Sequence, residues 1–128
     1  MSKNHEVTRK QPLLTENGTI GEPGWARCPV YDYNRENIRA CRLRRKEWDY
    51  YLITNENFAF AVTVSDLGYL GMLSVSLLDF KSRKETTKTA LDLKAGRDYG
   101  LGKGPEDYST NAQSGKIRIR YQKKNGYR

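Results

Sequence analysis

Apolar and polar positions alternate through the middle of the chain. In "KEWDYYLIT", Trp48, Tyr50 and Leu52 fall on one face, with Asp49, Tyr51 and Ile53 on the other. After the short polar loop "NEN", "FAFAVTVSD" puts Phe58, Phe60, Val62 and Val64 on one face and the small Ala59, Ala61, Thr63 and Ser65 on the other. A period of two in aromatic and β-branched residues predicts strands. Gly68 in "DLGY" suits a turn, since glycine accepts positive φ. "LGMLSVSLLDF" is apolar on both faces, as a central or barrel strand is. "KSRK" turns the chain again, and "ETTKTALDL" reads as a polar strand that tolerates an edge. The last strand, "KIRIRYQ", turns Ile117, Ile119 and Tyr121 inward and Arg118 and Arg120 outward. Asn125-Gly126 then supplies a hairpin signal with only Tyr127 and Arg128 after it.

The flanks are less patterned. Residues 1–37 read as an extended, loop-rich leader, punctuated by Pro12, Gly18, Gly21, Pro23, Gly24 and Pro29. Within it, "LLTENGTI" predicts a small hairpin at Asn17-Gly18, and Trp25 is expected to act as a plug that packs the leader onto whatever follows. Over Ile38–Leu43 the pattern suits either a short helix or a strand. Residues 94–115 carry five glycines and a proline and read as a loop. The division is thus a leader, 1–37, and an antiparallel β-sheet region, 38–128.

Composition narrows the chemistry more than it specifies it. A chain of 128 residues is at most one domain. Its 37% hydrophobic content is thin for a core, and nine tyrosines supply a large share of it. A net charge of +8 raises the question of a polyanionic partner or an anionic membrane surface. The plainer reading is that one part of a larger protein need not be charge-balanced alone. Cys28 and Cys41 form no C-x-x-C pattern; free thiols are the simplest account, and a single bridge between them stays open. With His5 as the one imidazole, no metal set assembles by spacing and no cofactor is implied. The polar start is not a secretory signal, and the run Leu67–Phe80 is too short and interrupted for a membrane helix, so the expected location is cytoplasmic.

No catalytic constellation emerges, so whether the chain is an enzyme is left open. Gly96 and Gly100 lack the Gly-Lys-Ser/Thr that completes a phosphate loop. Asp66 and Asp79 each close an apolar strand, where burial would raise a carboxyl pKa toward general-acid duty, but an Asx-turn is the commoner role there. Arg42, Arg44, Arg45 and Lys46 precede the Trp48–Tyr50 face, and cations beside aromatics on a sheet suit single-stranded nucleic acid. Lys116, Arg118, Arg120, Lys123 and Lys124 would extend that patch. This is the second reading, because Arg44 and Lys46 share parity with Trp48 and suit an exposed strand entry.

The order of motifs resembles a known family. Gly24, Trp25, Arg27 and Pro29 in "GWARCP", Trp48 and Tyr50 in "WDYYLIT", and Asp66, Leu67, Tyr69 and Gly71 in "DLGYLG" are similar, in that order, to the opening of the uncharacterised domain-of-unknown-function 2804 family. The resemblance implies an N-terminal portion of a larger β domain, with the strand that Asn125-Gly126 would return lying beyond Arg128. It implies no established activity. The family looks distantly similar to lipocalin-like barrels that handle isoprenoid lipids, a fold-level analogy. The expected fold is therefore all-β: an antiparallel meander, part of a lipocalin-like barrel or open sandwich, and incomplete. Small Ala59, Ala61 and Thr63 beside aromatic Trp48 and Tyr50 are expected to line a site for a hydrophobic, lipid- or isoprenoid-like molecule. Unpaired strand edges imply self-association, and a non-catalytic assembly module is a further alternative.

Overall fold

The computed structural model describes residues 4–93, 99–102 and 107–125. The leader is more ordered than its punctuation suggests. Short strands β1 (Gln11–Pro12) and β2 (Tyr31–Asp32) pair in parallel, and Glu6 bridges Trp25. Leu14 bridges Ile20 across Gly18, whose φ is +75°, so the expected hairpin forms at Asn17-Gly18. Glu22 gathers this region: His5 Nε2 and Gln11 Nε2 both lie 2.6 Å from its carboxylate, which they hold below the usual range, His5 contributing most. Trp25 does not plug the leader onto the sheet. Its backbone pairs with residues 5 and 7, while its ring stays 44% exposed with the Arg27 guanidinium 5.4 Å above it.

The main layer is an antiparallel sheet whose strands follow chain order: β3 (Glu47–Thr54), β4 (Phe58–Asp66), β5 (Gly71–Asp79) and β6 (Lys84–Asp92). The apolar β5 is internal and the polar β6 is an edge, as their patterns predict. Side chains tie the turns. Asn55 Oδ1 accepts from the amides of Asn57 and Phe58, Asp66 Oδ1 from Gly68, and Asp79 Oδ1 from Ser82. Gly68 has φ +82°, and a Cβ there would stand 2.0 Å from the Arg42 carbonyl oxygen. Over 38–43 no strand forms, and of the short-helix alternative only Arg42 and Leu43 are helical: the stretch before β3 holds two 3-10 turns, Arg35–Asn37 and Arg42–Arg44.

A second, two-stranded layer consists of β7 (Tyr108–Ser114) and β8 (Ile117–Lys123). The expected loop over 94–115 is corrected here, because its last seven residues before Gly115 form a strand. Gly115 opens the hairpin turn with φ +54°, the glycine-first form that matches strand twist. The hairpin runs across the main strands. Its turn stands over β6, where Ser114 Oγ donates to the Leu91 carbonyl at 3.0 Å, and its open end reaches β3, where Tyr121 stacks on Tyr51. Such crossing is the orthogonal mode of sheet packing.

The core lies in this contact: Val64 and Leu73 from the main sheet, Ala112 and Ile119 from the hairpin, and Tyr99 and Leu101 from the connecting segment. Ile117 and Ile119 thus turn inward and Arg118 and Arg120 outward, as alternation predicts. Between the two expected architectures the sheet is open, and no pairing among the described residues closes a barrel. Asn125 adopts the positive φ, 53°, that a turn requires, and its amide donates to Asp107 Oδ2. Gly126, with which the expected turn would finish, lies outside the described residues, as does Gly96.

Candidate functional site

Strand register decides which side chains meet the hairpin. Asp49, Val64, Leu73 and Ala90 form one cross-strand row on the inner face; Tyr51, Val62, Val75 and Lys88 form the next. A third row comprises Ile53, Phe60, Leu77 and Thr86. Tyr108 of β7 reaches the first row and Tyr121 of β8 the second. Among the described residues no strand lies above the third row. Between β8 and the β3–β4 pair opens a cleft of about 370 Å³, with Tyr51, Ile53, Val62, Val64, Ile119 and Tyr121 along its walls and Asp49 and Arg120 among its polar groups.

A tyrosine network closes one side of the cleft. The Tyr51 and Tyr121 rings stack with centroids 4.3 Å apart, and Tyr108 tilts against Tyr121 at 5.3 Å. The Tyr108 hydroxyl donates to Asp49 Oδ2 at 2.8 Å and lies 2.5 Å from the Tyr51 hydroxyl. With the Tyr108 proton directed at Asp49, Tyr51 is the donor to Tyr108. Burial pushes the Tyr51 phenol up to about 12, with the Asp49 charge adding to it, and burial and its two hydrogen bonds raise Tyr108 as well. These phenols are neutral across the physiological range. The Tyr121 hydroxyl is buried and has no hydrogen-bond partner among the described residues. The network fixes where the hairpin's open end sits on β3, and so fixes the width of the cleft.

A family model described as Domain of unknown function (DUF2804) matches residues 4–128. The chain belongs to that family. No curated protein and no solved structure matches it. The match in this DUF2804 chain takes in the leader, the main sheet and the hairpin together.

The side chains expected to bind a ligand share the opposite, outer face of the sheet. Tyr50 stands directly across from Thr63, and Trp48, Ala59 and Ala61 follow the same alternation. Ala59 and Ala61 are buried beneath their cross-strand neighbours, whereas Trp48 is 61% and Tyr50 55% exposed. That face is an open surface with small residues along its middle. The sequence reading missed the cleft, although Tyr51, Val62 and Tyr121 were already assigned to alternating faces. What it lacked was the second layer's position.

The basic stretch is mostly occupied. Arg42 donates to the Gly68 carbonyl and lies 3.6 Å from Asp66, and Lys46 donates to the carbonyls of Leu43 and Leu67 with its ammonium 4.2 Å from the Tyr69 centroid. Arg45 and Arg35 grip Glu47 at 3.2 and 2.9 Å, and the Tyr33 hydroxyl donates to the same carboxylate. Burial, followed by that contact, pushes Tyr33 up to about 12. This clasp joins the leader to β3. Arg44 is exposed on its 3-10 turn, while Lys123 is buried on the inner face of β8 and cannot extend a solvent-facing patch. Asp66 and Asp79 make Asx-type turns. The Ser82 amide holds Asp79 below the ordinary carboxylate range, the reverse of what a general acid needs.

Proposed function

We propose that this domain binds an apolar, lipid- or isoprenoid-like small molecule in the cleft between β8 and the β3–β4 pair. The observation that carries the reading is the cleft itself, about 370 Å³ and walled by Tyr51, Ile53, Val62, Ile119 and Tyr121. That volume lies within the range of small-molecule sites, roughly 300–1,000 Å³, which are apolar with a few polar groups to set orientation. Neutral phenols and the absence of a poised acid among the described residues favour binding over catalysis.

The test is titration with an apolar fluorophore whose emission rises on desolvation. Saturable binding is expected, weakened at least about tenfold by Ile53→Glu, a charge placed in the cleft wall. Trp48→Ala, on the opposite face, is expected to leave it unchanged. Loss with Trp48→Ala and not with Ile53→Glu would move the site to the outer face with Tyr50, Ala59, Ala61 and Thr63. A flat titration would end the ligand reading.

The nucleic-acid alternative draws on less: of Arg42, Arg44, Arg45 and Lys46, only Arg44 has a side chain with no protein partner among the described residues.

A further inference from the structure

We infer that one end of the main sheet, where the 3-10 turn Arg42–Arg44 packs on the turn between β4 and β5, is a docking surface for an anionic lipid bilayer. The inference goes beyond the ligand reading and does not depend on it.

The chain builds this tip from two short turns held against each other. The amides of Arg44 and Arg45 donate to the Cys41 carbonyl, at 2.9 and 3.3 Å, which closes the 3-10 turn. Between β4 and β5 the Leu67 amide donates to the Leu70 carbonyl at 2.9 Å, and Gly68 lets the backbone pass close to Arg42. Side chains then join the two turns. Lys46 Nζ donates to the carbonyls of Leu43 and Leu67, and Arg42 Nε to that of Gly68 at 3.3 Å. Each of these contacts is made between residues 41 and 70.

Charge collects at the tip. Arg39, Arg42, Arg44, Arg45 and Lys46 are five cations with no acid among them, between Glu36 and Glu47. Two carboxylates reach the stretch: Asp66, 3.6 Å from Arg42, and Glu47, gripped by Arg45 and Arg35. Lys46 donates to neutral carbonyls, so its charge is not cancelled, and the Arg44 side chain is exposed with no protein partner among the described residues. A bilayer of anionic lipids attracts such a cluster by its summed charge, within a Debye length of roughly 8–10 Å. A cation already held by a carbonyl still contributes to that attraction.

Apolar side chains favour the bilayer over a nucleic acid. Leu43, 63% exposed, lies between Arg42 and Arg44, and Tyr69, 50% exposed, stands in the neighbouring turn. An aliphatic side chain flanked by cations suits the boundary between head groups and acyl chains, where it leaves water while the cations stay with the phosphates. Tyrosine favours the same depth, with an apolar ring and a polar tip. A single-stranded nucleic acid requires open aromatic faces on which its bases stack. Leu43 offers none, and the Tyr69 ring carries the Lys46 ammonium 4.2 Å from its centroid. The attachment is peripheral and combines two signals, charge and apolar insertion.

The whole chain is sedimented with vesicles of phosphatidylcholine containing about one-third phosphatidylserine, and with vesicles of phosphatidylcholine alone. Binding to the anionic vesicles is expected to weaken as salt rises and to exceed binding to the neutral ones at least about tenfold. Arg44→Glu, an exposed site where folding is checked by circular dichroism, is expected to weaken it at least about tenfold. Leu43→Ser is expected to weaken it at least about fivefold while keeping the salt dependence. Lys81→Glu makes the same charge change in the exposed β5–β6 turn, at the opposite end of the sheet, and is expected to alter binding less than about twofold. Absence of binding to the anionic vesicles overturns the inference. So does equal loss in Lys81→Glu and Arg44→Glu, which would assign the attraction to overall charge, or full retention in Leu43→Ser. A thymidine oligonucleotide that binds where the vesicles do not would overturn it as well, and would give the tip to nucleic acid.

Discussion

Tyr108 and Tyr121 share one cluster and differ in what their hydroxyls do. Tyr108 satisfies Asp49 and Tyr51, while the Tyr121 oxygen is buried without a hydrogen-bond partner among the described residues. An unsatisfied buried polar group costs roughly 1–3 kcal/mol, and a made hydrogen bond to a charged group contributes a comparable amount. Tyr108→Phe is therefore expected to destabilise the protein by about 1–2 kcal/mol. Tyr121→Phe is expected to leave stability unchanged or raise it by up to about 1 kcal/mol. Urea unfolding midpoints check both, and equal losses in the two variants would contradict this account of the cluster. At this scale the sequence was legible where local chemistry decides. Asp66 and Asp79 end strands and make turns, as strand-end aspartates commonly do. The engagement of Lys46 by the Leu67 carbonyl was not legible, because that carbonyl becomes its partner only after the chain folds back.

The strands that could be read from the chain are those in which large and small residues alternate. In β4, Phe58, Phe60, Val62 and Val64 occupy one parity and Ala59, Ala61, Thr63 and Ser65 the other. β7 escaped because its inward residues, Thr110, Ala112 and Ser114, are small and mostly polar, so burial leaves no hydrophobic signature. It follows a glycine-rich stretch as well, which hides its start. What anchors the hairpin's open end is the Tyr51 contact. The folded chain holds that phenolic proton to about 12 against an ordinary 10.0. A raised folded pKa means the folded state keeps the proton where the unfolded chain has lost it. The stability it contributes is complete below pH 10 and is lost as pH rises through about 12. Unfolding midpoints of the unmodified protein should therefore fall more steeply over that interval than those of Tyr51→Phe. Parallel decline in the two proteins would show that Tyr51 is not buried against the hairpin.

Layer arrangement was the part that no local pattern could give. Both faces of β3 and β4 carry aromatics, so alternation names two candidate interiors without choosing between them. The hairpin chooses. By crossing the sheet over Tyr51, Val62, Val64 and Leu73 it makes that face the core, and it leaves Trp48 and Tyr50 toward solvent. Because the second layer is two strands wide, it covers two rows of the main sheet and stops short of Ile53, Phe60 and Leu77. The cleft is a consequence of that width, and so is the outer edge of β8, unpaired among the described residues. Amide hydrogen exchange along β8, in the protein alone, measures it directly. Slow exchange is expected at Ile119 and Tyr121, alternating with fast exchange at Arg118, Arg120 and Gln122. Uniform protection from Arg118 through Gln122 would mean the edge is already paired, and would contradict the open second layer.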